Sequence, residues 1–414
     1  MSHQTGLIRR PAAWAALGAL LLLGSCGGDY GGSSYNGYPP VEMSAGVVAA
    51  DFNNDGFADI VQLSSVQNGL EPDPANLKTY LSTSATAFAA PTLTDNGDDA
   101  LYIASADLNG DGLPDVVTAS VEDGVLAVYF NNKLSPGSFN MPLVLTSPGA
   151  SQVAIGDMNG DGLPDLVAAD YGVSLFLQTS TGTFANAISL YPGGANWVAV
   201  GNLHGPADNI LDVALVDATG VKVLMHTGVA SATTYAAPVT VFTQTANSNV
   251  AGANIVAIGD VNGDGLNDLV ITDPGPTGGM APMVYVLLQD PSNHGHFKPA
   301  VSYPVAAQSL AQSLVLKDLT GVGKLDIVIG GTDAVSVLMH DPNPANAGAF
   351  LAATNFTAED ANEIAVADVN GDGLPDIIVA TGPTQPVVNG VTTVHPGVLL
   401  QTAPGTFAPL ADLP

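Results

Sequence analysis

Five nine-residue stretches of this chain place oxygen-bearing side chains at one repeated spacing: DFNNDGFAD (51–59), DLNGDGLPD (107–115), DMNGDGLPD (157–165), DVNGDGLND (260–268) and DVNGDGLPD (368–376). All share the pattern D-x-N-x-D-G-x-x-D, which offers four side-chain donors per loop. These are Asp51, Asn53, Asp55 and Asp59; Asp107, Asn109, Asp111 and Asp115; Asp157, Asn159, Asp161 and Asp165; Asp260, Asn262, Asp264 and Asp268; and Asp368, Asn370, Asp372 and Asp376. A tight turn points the alternating donors inward, and the glycine at position 6 permits the bend with φ > 0. Position 7 offers a backbone carbonyl, and the aspartate at position 9 closes the far side. Every donor is oxygen, which selects a hard cation. Six or more flexible oxygen ligands suit Ca2+ better than Mg2+, which wants a compact octahedron and keeps its waters. The expectation is Ca2+ at five sites, one per intact loop.

The EF-hand also uses D-x-D-x-D-G, but it needs a glutamate at position 12 and flanking helices. Position 12 here is Gln62, Thr118, Ala168, Ile271 or Val379, and the flanks read as strands. A D-N-D-G turn is also simply a good hairpin loop; recurrence of the same four oxygen positions favours metal. Two weaker copies, NLHGPADNILD (202–212) and DLTGVGKLD (318–326), lack the donor set: Asn202 and His204 replace Asp and Asn, and Val322 and Lys324 fall at positions 5 and 7. These two units are expected to bind no calcium or to bind it poorly.

The loops start at 51, 107, 157, 202, 260, 318 and 368, which defines seven units. Each loop is preceded by an apolar segment such as GVVAAD or QVAIGD and followed by another such as DVVTA or DLVIT. A third segment follows (GVLAVYF, GVKVLMH), then a fourth opening at an aromatic residue: Phe88, Phe139, Phe184, Tyr235, Phe297, Phe350 and Phe407. Short β-branched runs bounded by Gly, Pro, Asn and Asp read as strands. A lone four-stranded sheet cannot bury both faces, but seven packed face to face around an axis can. The fold class is therefore all-β: a seven-bladed β-propeller of four-stranded antiparallel blades over 41–414. The units resemble FG-GAP (VCBS) repeats of the integrin α-chain propeller and its bacterial relatives. That resemblance implies calcium loops ringing one end, with partner-binding loops at the other. Either the last unit's own GTFAPLADLP or the stretch Tyr35–Met43 would close the ring as an outer strand.

Residues 1–25 have the pattern of a secretory leader: Arg9 and Arg10, an apolar run from Pro11 to Gly24, then small residues. The only cysteine, Cys26, follows in Leu23-Gly24-Ser25-Cys26, which resembles the lipobox of bacterial lipoproteins and implies acylation of Cys26. Residues 26–40 (CGGDYGGSSYNGYPP) read as the acylated cysteine and a flexible tether. Gly27 is not the aspartate of an inner-membrane retention signal. The expected location is the outside of the cell envelope, lipid-anchored, at the outer membrane or cell surface. Once Cys26 is acylated, no cysteine remains for a disulfide.

The chain's 414 residues carry 8 Lys plus Arg against 38 Asp plus Glu, a formal net charge of −30. No arginine follows Arg10, so nucleic-acid binding, which needs a basic stripe, is excluded. There is no G-x-S-x-G, P-loop, G-x-G-x-x-G or H-E-x-x-H. His294 and His296 form an H-x-H that reads as a hairpin tip, and Glu359, Asp360 and Glu363 an acidic cluster that reads as a solvated loop. Trp197 enters the first strand of unit 4, on the side of the long connections of units 1, 5 and 7. The functional expectation is a monomeric, non-catalytic scaffold binding an extracellular protein or glycan, touching the membrane only through its lipid anchor. The alternatives are a polysaccharide-processing enzyme or accessory subunit, or a structural envelope component.

Overall fold

Segments adjacent in sequence pair with one another here because the turns between them are short and loop closure is then cheap. The result is seven four-stranded antiparallel sheets, each built in sequence order from the axis outward. The structure, a computed structural model, describes residues 41–67, 76–84, 87–95, 100–205, 210–228, 234–243, 254–273, 282–306, 311–343, 346–358, 361, 363–380 and 396–412. The leader, Cys26 and the tether lie outside the described residues, as do Glu359 and Asp360 and the connections 68–75, 274–281 and 381–395.

The innermost strands are Val41–Ala50, Tyr102–Ala106, Gln152–Gly156, Trp197–Gly201, Ile255–Gly259, Ala311–Lys317 and Glu363–Ala367. The second strands each begin at the position-9 aspartate: Asp59–Gln67, Asp115–Ser120, Asp165–Ala169, Asp212–Asp217, Asp268–Asp273, Asp326–Gly331 and Asp376–Ala380. Innermost strands of successive blades lie against each other all the way round, and Val41–Ala50 meets Glu363–Ala367 to close the ring.

Each second strand is covered by a neighbouring blade on both faces, which is why it reads as an unbroken apolar run rather than an alternating one. Every residue of Asp115–Ser120 and of Asp165–Ala169 is buried. Seven apolar clusters fill the seven seams. Phe52, Leu63 and Leu77 of blade 1 pack on Ile103, Val116 and Tyr129 of blade 2. At the closing seam Ile60 and Tyr80 of blade 1 pack on Ile378 and Val398 of blade 7.

One alternative left open by the sequence is decided, and one reading is corrected. Val41–Met43 belong to the innermost strand of blade 1, with Val41 opposite Gln67 and Met43 opposite Ser65, and not to an outer strand closing blade 7. Blade 7 takes its outer strand from Ala411–Asp412, so the ring closes by face-to-face packing. The recurrent aromatic, in turn, does not lie in the outer strand. It sits just before it in a short hairpin, as Phe184 pairs with Gln178 and Phe407 with Gln401, while the outer strands begin at Ile188 and Ala411. There it packs into the seams, Phe407 edge-on to Phe356 with ring centroids 5.8 Å apart.

Candidate functional site

The five intact loops fold alike. The position-1 carboxylate accepts the backbone N–H groups of positions 5 and 6: Asp161 and Gly162 donate to Asp157 over 3.1 and 2.8 Å, and Asp372 and Gly373 to Asp368 over 3.2 and 2.8 Å. The position-5 carboxylate accepts the N–H of position 7, as Leu163 donates to Asp161 over 2.8 Å. Asn159 accepts the Asp161 N–H at 2.8 Å and donates its amide to the Asp161 carboxylate at 2.9 Å.

Position 6 is left-handed throughout, with φ +87° at Gly162 and open space around it, so backbone conformation alone demands glycine there. Position 4 is left-handed as well. Blade 1 alone among the intact loops fills it with a side chain, Asn54 at φ 58°. Exchanging Asn54 for glycine is therefore expected to stabilise the protein by about 0.5–1 kcal/mol, and exchanging Gly160 for alanine to destabilise it by a similar amount. Urea midpoints at saturating calcium check both.

Blade 6 separates turn formation from metal chemistry. Asp318 accepts the N–H groups of Thr320, Gly321, Val322 and Gly323 at 2.6–3.3 Å, although Val322 stands at position 5, 61% exposed. The turn therefore needs only the first aspartate and two left-handed residues. The donors at positions 3 and 5 of the intact loops are not required to make it.

The position-9 aspartate has a role that spacing alone does not reveal. In all seven blades it is fully buried. One carboxylate oxygen accepts the N–H of position 2 and the other the N–H of the residue just past the third strand. The first set of donors is Phe52, Leu108, Met158, Leu203, Val261, Leu319 and Val369. The second is Ser82, Asn131, Gln178, His226, Gln289, His340 and Gln401, and the whole set spans 2.6–3.2 Å. The position-2 side chains are apolar and buried in the seams. Some side chains of the second set reach onto the preceding blade: Asn131 donates to the Phe52 carbonyl at 2.8 Å and Gln401 to that of Leu319 at 2.7 Å.

Burial drives the position-9 carboxyls up from 3.8 to about 6 in Asp59, Asp115, Asp165 and Asp376 and to about 7 in Asp268, against the lowering effect of those N–H groups. The neighbouring loop carboxylates add to the rise, Asp111 and Asp107 acting on Asp115 and Asp264 and Asp260 on Asp268. A cation there would reverse this repulsion, and the all-oxygen donor set suits a hard one. Among the described residues, no three carboxylate, imidazole or thiol groups form a metal cluster by themselves.

The two blades without the donor set are the two that place histidine on this aspartate. His204 Nδ1 lies 3.1 Å from Asp212, and His340 Nδ1 lies 2.8 Å from Asp326. Glutamine occupies the His340 position in blades 3, 5 and 7, as Gln178, Gln289 and Gln401. Replacing His340 by alanine is expected to cost about 1–2 kcal/mol equally with and without calcium, and replacing it by glutamine to cost less. A loss in urea denaturation seen only with calcium would contradict this. Of the H-x-H pair, His294 Nδ1 meets the His204 carbonyl at 2.6 Å, bridging blades 5 and 4.

The axial channel is the other concave feature. Register-equivalent residues of the innermost strands form rings across it. One ring, near its far end from the aspartate loops, carries Tyr102, Gln152, Trp197, Ser313 and Glu363, opposite Ala119, Ala169, Val216, Gly330 and Ala380. Nearer the loops the ring is Val48, Ala104, Ala154, Ala199, Ala257, Val315 and Ala365. Trp197 stands edge-on to Tyr102 with centroids 5.5 Å apart, placing it at the channel mouth.

Comparison with known proteins agrees with this architecture. Residues 107–168 and 318–379 match the FG-GAP-like repeat. No curated protein matches the chain. A putative 6-phosphogluconolactonase from Bacteroides uniformis is similar at 13% identity and TM-score 0.54, covering 84% of this chain and 94% of that one. An Agrocybe aegerita lectin, described for specific recognition of non-reducing terminal N-acetylglucosamine, is similar at 21% identity and TM-score 0.49, with 77% and 80% covered. The V. cholerae biofilm matrix protein Bap1 follows at 15% identity and TM-score 0.37, with 86% of each chain covered. At 13% identity the likeness to the Bacteroides uniformis protein concerns fold alone.

Proposed function

We propose that this chain, a seven-bladed β-propeller with FG-GAP-like repeats, is a calcium-stabilised, lipid-anchored binding scaffold for an extracellular protein or glycan. The observation that carries the reading is the sameness of the five intact loops. Each spends part of its carboxylate capacity on its own amides and keeps an asparagine at position 3 and an aspartate at position 5 in a turn that blade 6 makes with the first aspartate, Asp318, and neither of them. Asp157, Asn159, Asp161 and Asp165, and their counterparts in the other four loops, would hold the ion. Bound calcium would offset the carboxylate repulsion and stiffen one end of the ring. The opposite end is left to present connections to a partner.

Chain export and acylation of Cys26 complete the reading. The test is a binding screen of the purified chain against envelope glycans and surface proteins, in calcium and after its removal, with Cys26→Ala fractionation alongside. Calcium-dependent capture without substrate turnover, and release of the Cys26→Ala chain from membranes, are the expected results. Release of new reducing ends from a polysaccharide would favour the enzymatic alternative. That alternative draws on Glu363, which lies in the channel, whereas Glu359 and Asp360 lie outside the described residues.

A further inference from the structure

We propose that the channel mouth opposite the aspartate loops is a binding site for a small organic cation, an alkylammonium group held between the Glu363 carboxylate and the Tyr102–Trp197 pair. This goes beyond the scaffold reading and does not depend on it. The cavity there has a volume of about 240 Å³ and is lined from five blades, with Tyr102, Trp197, Ser313 and Glu363 among its walls. A second lobe of about 360 Å³ shares Tyr102 and Trp197 and adds Gln152.

Among the described residues, Glu363 is the only carboxylate lining either lobe. Its side chain crosses the closing seam, with Oε2 3.4 Å from where a Cβ on Gly46 would stand. Among the described residues no lysine or histidine pairs with it and no donor reaches it. Burial holds its pKa well above the ordinary glutamate value, and its charge in turn helps to raise that of Tyr102, which is itself desolvated. A half-buried carboxyl with no counter-ion tends to hold a proton rather than carry its charge, and a cation brought beside it favours the ionised form. The walls cannot supply that counter-ion, since the described lining contains no basic side chain.

An ammonium group would supply it. Aromatic faces attract cations as well as alkyl surface, and desolvation strengthens that attraction. The edge-to-face pair, with interplanar angle 85°, leaves the Trp197 and Tyr102 rings at right angles, two walls for a short alkyl chain. The chain's net charge of −30 enriches cations near the mouth. A neutral sugar would stack on the same rings but gain no charge attraction from the Glu363 carboxyl, so the site should discriminate by charge.

The test uses the full chain carrying Trp14→Phe, which leaves Trp197 as its one tryptophan. n-Butylammonium chloride is titrated at fixed ionic strength and saturating calcium while Trp197 emission is read. The expected result is a saturable change with n-butylammonium, at least tenfold weaker with n-butanol and with methyl glucoside. Glu363→Gln should weaken the ammonium at least tenfold, and Glu363→Asp less, while the melting temperature of Glu363→Gln stays at or above that of the parent and so excludes misfolding. Equal binding of n-butanol, undiminished ammonium binding by Glu363→Gln, saturation by methyl glucoside alone, or no saturation by any probe would each overturn the assignment.

Discussion

Replacing Asp326 by alanine is expected to destabilise the propeller by about 3–5 kcal/mol, with calcium present or absent. Blade 6 lacks the donor set, so the residue is expected to hold no ion or to hold it poorly. It nevertheless accepts the N–H of Leu319 at 2.9 Å and of His340 at 2.8 Å, and contacts the His340 ring at 2.8 Å. Removing it strands two buried donors, each costing about 1–3 kcal/mol, and opens a small void. The same substitution at Asp165 should lose this amount plus the calcium increment of its site. At Asp161, which is exposed, it should lose only the calcium increment and only when calcium is present. Urea denaturation of the three variants in both conditions separates the roles. An Asp326→Ala midpoint within about 0.5 kcal/mol of the parent would refute the latch; that margin is the ordinary range of surface substitutions.

This latch marks where the sequence was legible and where it was not. Blade number, strand order and the intact loops follow from spacing, because a repeated turn between apolar runs leaves few other ways to bury two-faced sheets. The structural duty of position 9 was visible in principle. Asp212 and Asp326 stand at the end of both loops whose donor set is incomplete, where a purely metal-holding residue is not needed. Position 2, treated as free in the loop pattern, is apolar in every unit because its side chain plugs a seam. Ring closure was not legible. A short terminal stretch reads alike as inner or outer strand, and only three-dimensional pairing assigns Val41–Met43. Nor was the make-up of the channel mouth, since Tyr102, Gln152, Trp197 and Glu363 fall in one ring only through the register of their innermost strands.

Removing calcium should lower the melting temperature by on the order of 10 °C at neutral pH, and by much less at pH 5. At tenfold excess over its dissociation constant, an ion that binds only the folded state adds about 1.4 kcal/mol, so five sites add about 7 kcal/mol, comparable with the whole stability of many domains. The pH dependence has a definite sign. The position-9 carboxyls rise on folding from 3.8 to about 6 or 7, chiefly through burial. Between those values the folded calcium-free chain holds protons that the unfolded chain has released, so its stability is greatest below about pH 4 in this respect and declines as pH climbs through 6 to 7. Protons thus relieve at low pH the burial of charge, and the smaller repulsion between carboxylates, that calcium would relieve at high pH. Melting curves of chain freed of calcium by dialysis should fall in midpoint from pH 5 to pH 7.5, while those in excess calcium stay level or rise. Parallel curves, offset equally at both pH values, would mean that the ion and the buried carboxyls act independently. Coincident curves would remove calcium from the account altogether.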